Sequence, residues 1–111
     1  MAKTTPYTAL LILASLADAD RHGYAIKKDI TERGGGEVRL GSTTLYRLLG
    51  QLLDEGLIEE ARSRPAPQLD DERRRYFHIT AAGRRALAAE AKLLERVLLA
   101  VRPALAPRGR A

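Results

Sequence analysis

Cysteine is absent from this chain, which excludes disulfides, thiolate metal sites and cysteine nucleophiles. The absence fits a reducing compartment, and the chain is expected to be cytoplasmic. Tryptophan is absent as well, and residues 81–111 contain no aromatic side chain. That stretch therefore has no flat stacking platform. No apolar run approaches the ~20 residues that a membrane span needs, so no membrane partner is expected. The two histidines, His22 and His78, are far apart in sequence and belong to no carboxylate constellation. There is no phosphate-binding glycine loop, no zinc-type spacing and no nucleophile motif. The chain is accordingly read as a non-enzyme, with no catalytic residue, no metal ligand and no cofactor.

What is present is a basic chain of 111 residues with net charge +5, most of it from arginine. The length fits one domain with a small core. A small basic domain suits an anionic partner, nucleic acid first and an anionic membrane second. Composition alone leaves open a soluble protein that is merely basic. Lys3, the apolar run 9–14 and Ala17-Asp18-Ala19 loosely imitate a secretory signal. The run is short, one lysine precedes it, and its removal would delete the first helix.

Hydrophobic periodicity organises the chain. Thr5-Pro6 suits a helix start, and Leu10, Leu13, Leu16 and Ala17 then recur at helical spacing. Residues 18–22 form a polar break. Gly23 opens a second helix with Ile26 and Ile30 on one face, and Gly34-Gly35-Gly36 ends it near Arg33. His22 is placed as a cap of that helix. Ser42 is expected to cap a third helix, with Leu45, Leu48, Leu49, Leu52 and Leu53 on its apolar face. Thr43, Arg47, Gly50 and Asp54 point the other way, with Thr44 and Gln51 beside them. Gly56 closes the helix. Residues 57–64 and 73–80 read as two strands joined by a long tip at 65–72, whose prolines exclude a two-residue turn. Residues 81–102 form a last helix. Its Leu87, Ala91, Leu94, Leu98 and Val101 are spaced like a coiled-coil seam. Pro103 is expected to end it, before a basic tail.

Four signals occur in order. They are His22-Gly23-Tyr24 with Ile26, Thr44-Leu45-Tyr46 with Leu48, Gly56-Leu57-Ile58, and Tyr76 with Thr80 and Gly83. Over residues 6–83 these residues resemble the PadR family of bacterial transcriptional regulators. Each signal alone is weak, and the ordered set is specific. The resemblance implies a fold that is mainly α with a small antiparallel β-hairpin: a winged helix-turn-helix over residues 1–80, a dimerisation helix over 81–102 and a flexible basic tail over 103–111. A single C-terminal helix matches the compact subfamily.

A third helix that enters the major groove needs one apolar face and one face of short polar and basic side chains. Ser42, Thr43, Thr44, Arg47 and Gln51 supply the second, and Arg47 suits a bidentate contact to guanine. Seen alone, the same face is also that of an ordinary solvated amphipathic helix. The resemblance places Tyr46, and with it Tyr24, near the DNA backbone. A core-edge packing role for both rings is compatible with that. Arg73, Arg74 and Arg75, with Arg62 and Arg64 nearby, make the hairpin a phosphate-gripping wing. The alternative is a charged hairpin neutralised by Asp70-Asp71-Glu72.

The seam residues and the extra apolar side chains Leu93 and Val97 leave too much apolar surface for a monomer. A homodimer with Leu87, Ala91, Leu94, Leu98 and Val101 at its interface follows, and the resemblance agrees. The expected function is that of a repressor acting as a homodimer on double-stranded DNA at a pseudo-palindromic operator. A winged-helix protein-interaction module that binds no DNA is the alternative. Some family members respond to small aromatic ligands. The missing platform in residues 81–111 speaks against a planar effector here, and any small-molecule effector stays unidentified.

Overall fold

The computed structural model describes residues 7–61 and 75–107. The elements run α1 Thr8–Asp18, β1 Arg21–His22, α2 Gly23–Arg33, α3 Ser42–Asp54, β2 Ile58–Glu60, β3 Tyr76–Ile79 and α4 Ala81–Leu105. The chain is mainly helical with a small antiparallel sheet, as its periodicity predicts.

Each helix contributes its apolar stripe to one core. Ile12, Leu13 and Leu16 come from α1, Ile26 and Ile30 from α2, and Leu45, Leu48, Leu49 and Leu52 from α3. Ile58, Phe77 and Ile79 of the sheet and Leu40 before α3 complete it. Burying each such side chain contributes roughly 1.5–3 kcal/mol. The core is thus aliphatic around one ring, that of Phe77.

The sheet has three strands rather than the two expected, in the order β1-β3-β2. Arg21 pairs with Phe77 and His22 with Tyr76, so the supposed polar break is an edge strand. Two residues are too short to display an alternating pattern, and the pairing is imposed by β3. On the other side Ile58, Glu59 and Glu60 face Ile79, His78 and Phe77. Both strands of the hairpin are shorter in the described residues than the expected 57–64 and 73–80.

Helix ends are set by local chemistry. The His22 Nδ1 accepts from the Ala25 N–H at 3.3 Å, capping α2 as expected. Ser42 does not cap α3. It is the first helical residue, Gly41 is the cap, and no side chain closes that end. The expected Thr5-Pro6 start lies outside the described residues, and α1 begins at Thr8 behind Tyr7. At the end of α3, Gly56 takes φ 73°. The Leu57 N–H then reaches the Leu52 carbonyl at 3.0 Å and the Gly56 N–H reaches Leu53 at 3.1 Å, the paired bonds of a Schellman ending.

Pro103 does not end α4, which continues through it to Leu105. The proline removes the one N–H that would reach the Leu99 carbonyl. It does so in an exposed last turn, where water can take the freed acceptor. Near its start α4 packs on α1 and β3, and Leu87 lies partly buried against the core of its own chain. The distal part projects, giving a molecule 66 Å long and 28 by 25 Å across.

The junction between α3 and α4 is a tight joint. Thr80 caps α4 by accepting from the Gly83 N–H at 3.0 Å, while its hydroxyl donates to the Gly56 carbonyl at 2.7 Å. Its own N–H donates to the Leu57 carbonyl at 3.1 Å. Gly83 is buried here. A Cβ at Gly83 would collide with the Leu57 carbonyl oxygen and approach Ile79 Cγ1 to 2.7 Å.

An ionic cluster fixes α2 against α1. Arg33 pairs with Asp18 of α1 and with Asp29 one turn earlier in α2, the latter at 2.6 Å. Arg21 donates to the Ser15 carbonyl at 3.0 Å and lies 4.0 Å from Asp29. Burial of Asp29 acts to raise its carboxyl. The Arg33 hydrogen bond, the nearby Ser15 hydroxyl and the Arg21 and Arg33 charges more than offset this and hold it below the ordinary value. The Asp29 and Asp18 hydrogen bonds raise Arg33 correspondingly.

Candidate nucleic-acid interface

Helix α3 is divided lengthwise. Leu45, Leu48, Leu49 and Leu52 are buried, whereas Ser42, Thr43, Tyr46, Arg47 and Gln51 are exposed and Thr44 is half-buried. The division arises from the 3.6-residue period acting on a sequence with leucines three, four and seven apart. Arg47 makes no ion pair with any described residue. Its guanidinium is therefore free to pair with an external acceptor, and its planar fork matches a guanine edge or a phosphate. Gly50 offers no side chain, so the contact-capable groups concentrate in the first half of the helix.

A ring cluster surrounds the start of α2. His22 stacks on Tyr24 with centroids 6.4 Å apart and meets Tyr76 edge-on at 5.2 Å. The Tyr46 ring of α3 lies over Gly23. A Cβ at Gly23 would collide with the Tyr46 hydroxyl and lie 2.9 Å from Cζ. This contact explains why the glycine precedes Tyr24 and why a tyrosine follows Leu45. Both Tyr24 and Tyr46 nevertheless present most of their surface to solvent, 68% and 54%. Each thus packs part of its ring and leaves most of its surface to solvent, the amphipathic use that tyrosine suits.

The sheet carries less free positive charge than its sequence suggests. Arg75 pairs with Glu60 at 2.9 Å and stacks over Phe77 at 5.3 Å. Both partners are more than half exposed, so the pair is weak and open to exchange. Glu59 is exposed on the same edge strand. Arg62, Arg64, Arg73 and Arg74 lie outside the described residues. His78 meets Asp20 at 2.7 Å, a contact that ties β3 to the turn before β1.

Along α4, Leu94 is half-buried, and Ala91, Leu98 and Val101 are exposed. Leu105 is 66% exposed and extends the same stripe by a turn that the sequence reading assigned to the tail. Leu87 is turned toward its own core instead. Leu93, Val97 and Leu99 are exposed as well.

Two features escaped the sequence reading. One is β1. The other is Lys27 of α2, whose ammonium donates to the Ser42 hydroxyl at 3.3 Å. Its position three residues after Tyr24, on the same helical face, was the available signal. Among the described residues no group of histidines and carboxylates could hold a metal ion, and no helix is long and apolar enough to cross a membrane.

Comparison with known proteins gives concordant matches. The model of the transcriptional regulator PadR-like family matches residues 12–89. A transcriptional regulator from Clostridium thermocellum superposes with TM-score 0.75 at 25% identity, covering 90% of this chain and 91% of that one. A PadR family transcription regulator from Clostridium difficile gives the same score and identity over 90% and 99%. A PadR-like transcriptional regulator from Bacillus cereus, at 22% identity, shares the fold with TM-score 0.77 over 92% and 94%. A 37.1 kDa protein in transposon TN4556 of Streptomyces fradiae is 38% identical over 88 residues, 79% of this chain. The chain spans only 23% of that relative's length.

Proposed function

This chain belongs to the PadR-like family of transcriptional regulators, and we propose that it acts by binding double-stranded DNA as a homodimeric repressor. The observation that carries the reading is the lengthwise division of α3. Thr43, Tyr46, Arg47 and Gln51 are exposed on a helix whose opposite face is locked into the core. In this reading α3 enters the major groove, with Arg47 and Thr43 on base edges and Tyr46, Tyr24 and Ser42 on the backbone. Thr44, half-buried, contributes its edge. The wing arginines Arg73, Arg74 and Arg75 grip flanking phosphates, Arg75 by exchanging Glu60 for phosphate.

Two copies pair through the α4 stripe of Leu94, Leu98 and Val101, with Ala91 as the point of close approach, while Leu87 packs on its own core. The two third helices then meet half-sites roughly one helical turn apart in a pseudo-palindromic operator. Occupancy of a promoter by the dimer blocks transcription sterically. The test is to incubate the purified protein with sheared genomic DNA, sequence what it retains, and titrate the retained duplex and a scrambled one over a range of salt. Tighter, salt-dependent binding to the retained sequence supports the reading. Absence of salt-dependent binding to any duplex overturns it in favour of a protein-interaction module.

A further inference from the structure

Lys27 lies on the outer face of α2, one turn after Tyr24 and one turn before Thr31, and its ammonium spans to Ser42 at the start of α3. The contact is poorly explained as a tether. The acceptor is a neutral hydroxyl, and the contact is long at 3.3 Å and exposed, whereas an ionised oxygen holds an ammonium more strongly, at about 2.7–2.9 Å. A serine hydroxyl also satisfies just one of the three ammonium donors. No carboxylate among the described residues forms an ion pair with Lys27, although Asp29 and Glu32 follow it in the same helix. Asp29 is held by Arg33 and Arg21, and Glu32, which lines the same shallow cleft as Tyr24 and Lys27, forms no ion pair with Lys27. A compact cation is thus held beside the exposed Ser42 hydroxyl and the exposed Tyr24 ring with most of its donor capacity unused.

We propose that Lys27 is a DNA-backbone contact, with the Lys27 ammonium and the Ser42 hydroxyl taking the same phosphate. The proposal rests on the DNA-binding reading above and assigns a residue which that reading does not use. It adds a charged contact on α2 to the Tyr24 contact of that reading. A point charge on a backbone phosphate fixes the register of α3 on the duplex and carries no base information.

The experiment uses the full chain, a fluorescent duplex of about 30 base pairs carrying a retained genomic fragment, and a scrambled duplex of the same length, titrated over a salt series. Lys27→Met keeps the aliphatic stem and removes the charge. The slope of log affinity against log salt should become shallower by about 0.9 unit, the value for one phosphate. Affinity should fall by the same factor on both duplexes. Lys27→Arg should keep the wild-type slope. Ser42→Ala should weaken binding and leave the slope alone. Lys27→Gln supplies a second charge-removing variant, and circular dichroism checks that helix content is kept. An unchanged slope in both charge-removing variants overturns the proposal and leaves Lys27 as a mere support for Ser42. A loss confined to the retained duplex also overturns it, since it marks base reading. If the wild-type chain itself shows no salt-dependent binding, the DNA reading fails and the proposal falls with it. If the wild type binds and only the Lys27 slopes are unaltered, the proposal alone fails.

Discussion

The Tyr46 hydroxyl of α3 lies over Gly23, the first residue of α2, closer than any Cβ at that position allows. The two motifs that look independent in the sequence are therefore one packing unit. Substitution of Gly23 by alanine should swing the exposed Tyr46 ring outward. Because that ring can move into solvent, stability should change by about 1 kcal/mol or less, and thermal melting measures it. DNA affinity should fall. In the double variant Gly23→Ala/Tyr46→Ala the loss should be no greater than in Tyr46→Ala alone, a coupling of about 0.5–3 kcal/mol in a titration cycle. Additive losses would show that the two residues act separately.

Gly83→Ala should behave differently, because the atoms its Cβ meets are the Leu57 backbone and Ile79 Cγ1, which cannot swing away. Overpacking of this kind costs about 1–3 kcal/mol. Denaturant unfolding should show the midpoint displaced to lower concentration, and an unaltered midpoint would mean that the α3–α4 joint is looser than described.

Arg47→Ala tests base reading. Affinity for the retained sequence should drop by about 1–3 kcal/mol with relaxed preference at one base pair. Competition against a panel of single-base operator variants reads this directly, and an unaltered preference profile would take Arg47 off the bases.

The pH dependence of stability should involve Asp29. Its carboxyl is held below the ordinary value in the folded chain, so the folded state favours the ionised form. The resulting stability is present above the unfolded carboxylate pKa of about 3.9 and is lost as pH falls through the lower folded value. Asp29→Asn should cost about 1–3 kcal/mol near neutrality. It should also flatten the acid limb of a plot of unfolding free energy against pH. A variant that loses stability equally at pH 7 and well below pH 3 would contradict this account.

Replacement of Leu94 and Leu98 by glutamate tests assembly. Two charges buried without partners cost several kcal/mol, so sedimentation should report a monomer, with helix content retained by circular dichroism and operator binding lost. A double variant that still sediments as a dimer places the seam elsewhere. A monomer that binds the operator as tightly as the wild type removes the paired half-site mechanism.

Much of this fold was legible because the relevant signals are local and periodic. The leucines of α3 name their own buried face, His22 caps α2 where it was expected, and Gly56 adopts the left-handed conformation for which only glycine is well suited. What was illegible depended on distant residues. β1 is a strand only because Tyr76 and Phe77 lie beside it, and two residues cannot announce a period of two. Ser42 had the right chemistry for a cap, but Gly41 holds the capping backbone geometry. Leu87 fits the heptad seam in sequence, yet the first turns of α4 lean on α1 and draw it inward. Pro103 was read as a stop by its missing donor, whereas one missing bond in an exposed final turn costs too little to break the helix there. On the candidate interface, exposure of Thr43 and Arg47 follows directly from helical phase, and Tyr46, expected at the edge of the apolar face, is more than half exposed. The contact of Lys27 with Ser42 was not legible, because it depends on how α2 and α3 cross.

The Thr80 joint has a mechanical consequence. Two hydrogen bonds from Thr80, to the Gly56 and Leu57 carbonyls, link the end of α3 to the beginning of α4, the same hydroxyl caps α4, and the buried Gly83 leaves little slack between them. α4 is then a rigid arm of 25 residues, about 37 Å long at the usual helical rise, pivoted at the foot of α3. A tilt of about 5° at the pivot carries the far end of such an arm about 3 Å. Run in reverse, a displacement of a few ångströms at the tip, near Val101 and Leu105, reaches the foot of α3 through the Thr80 contacts as a rotation of a few degrees.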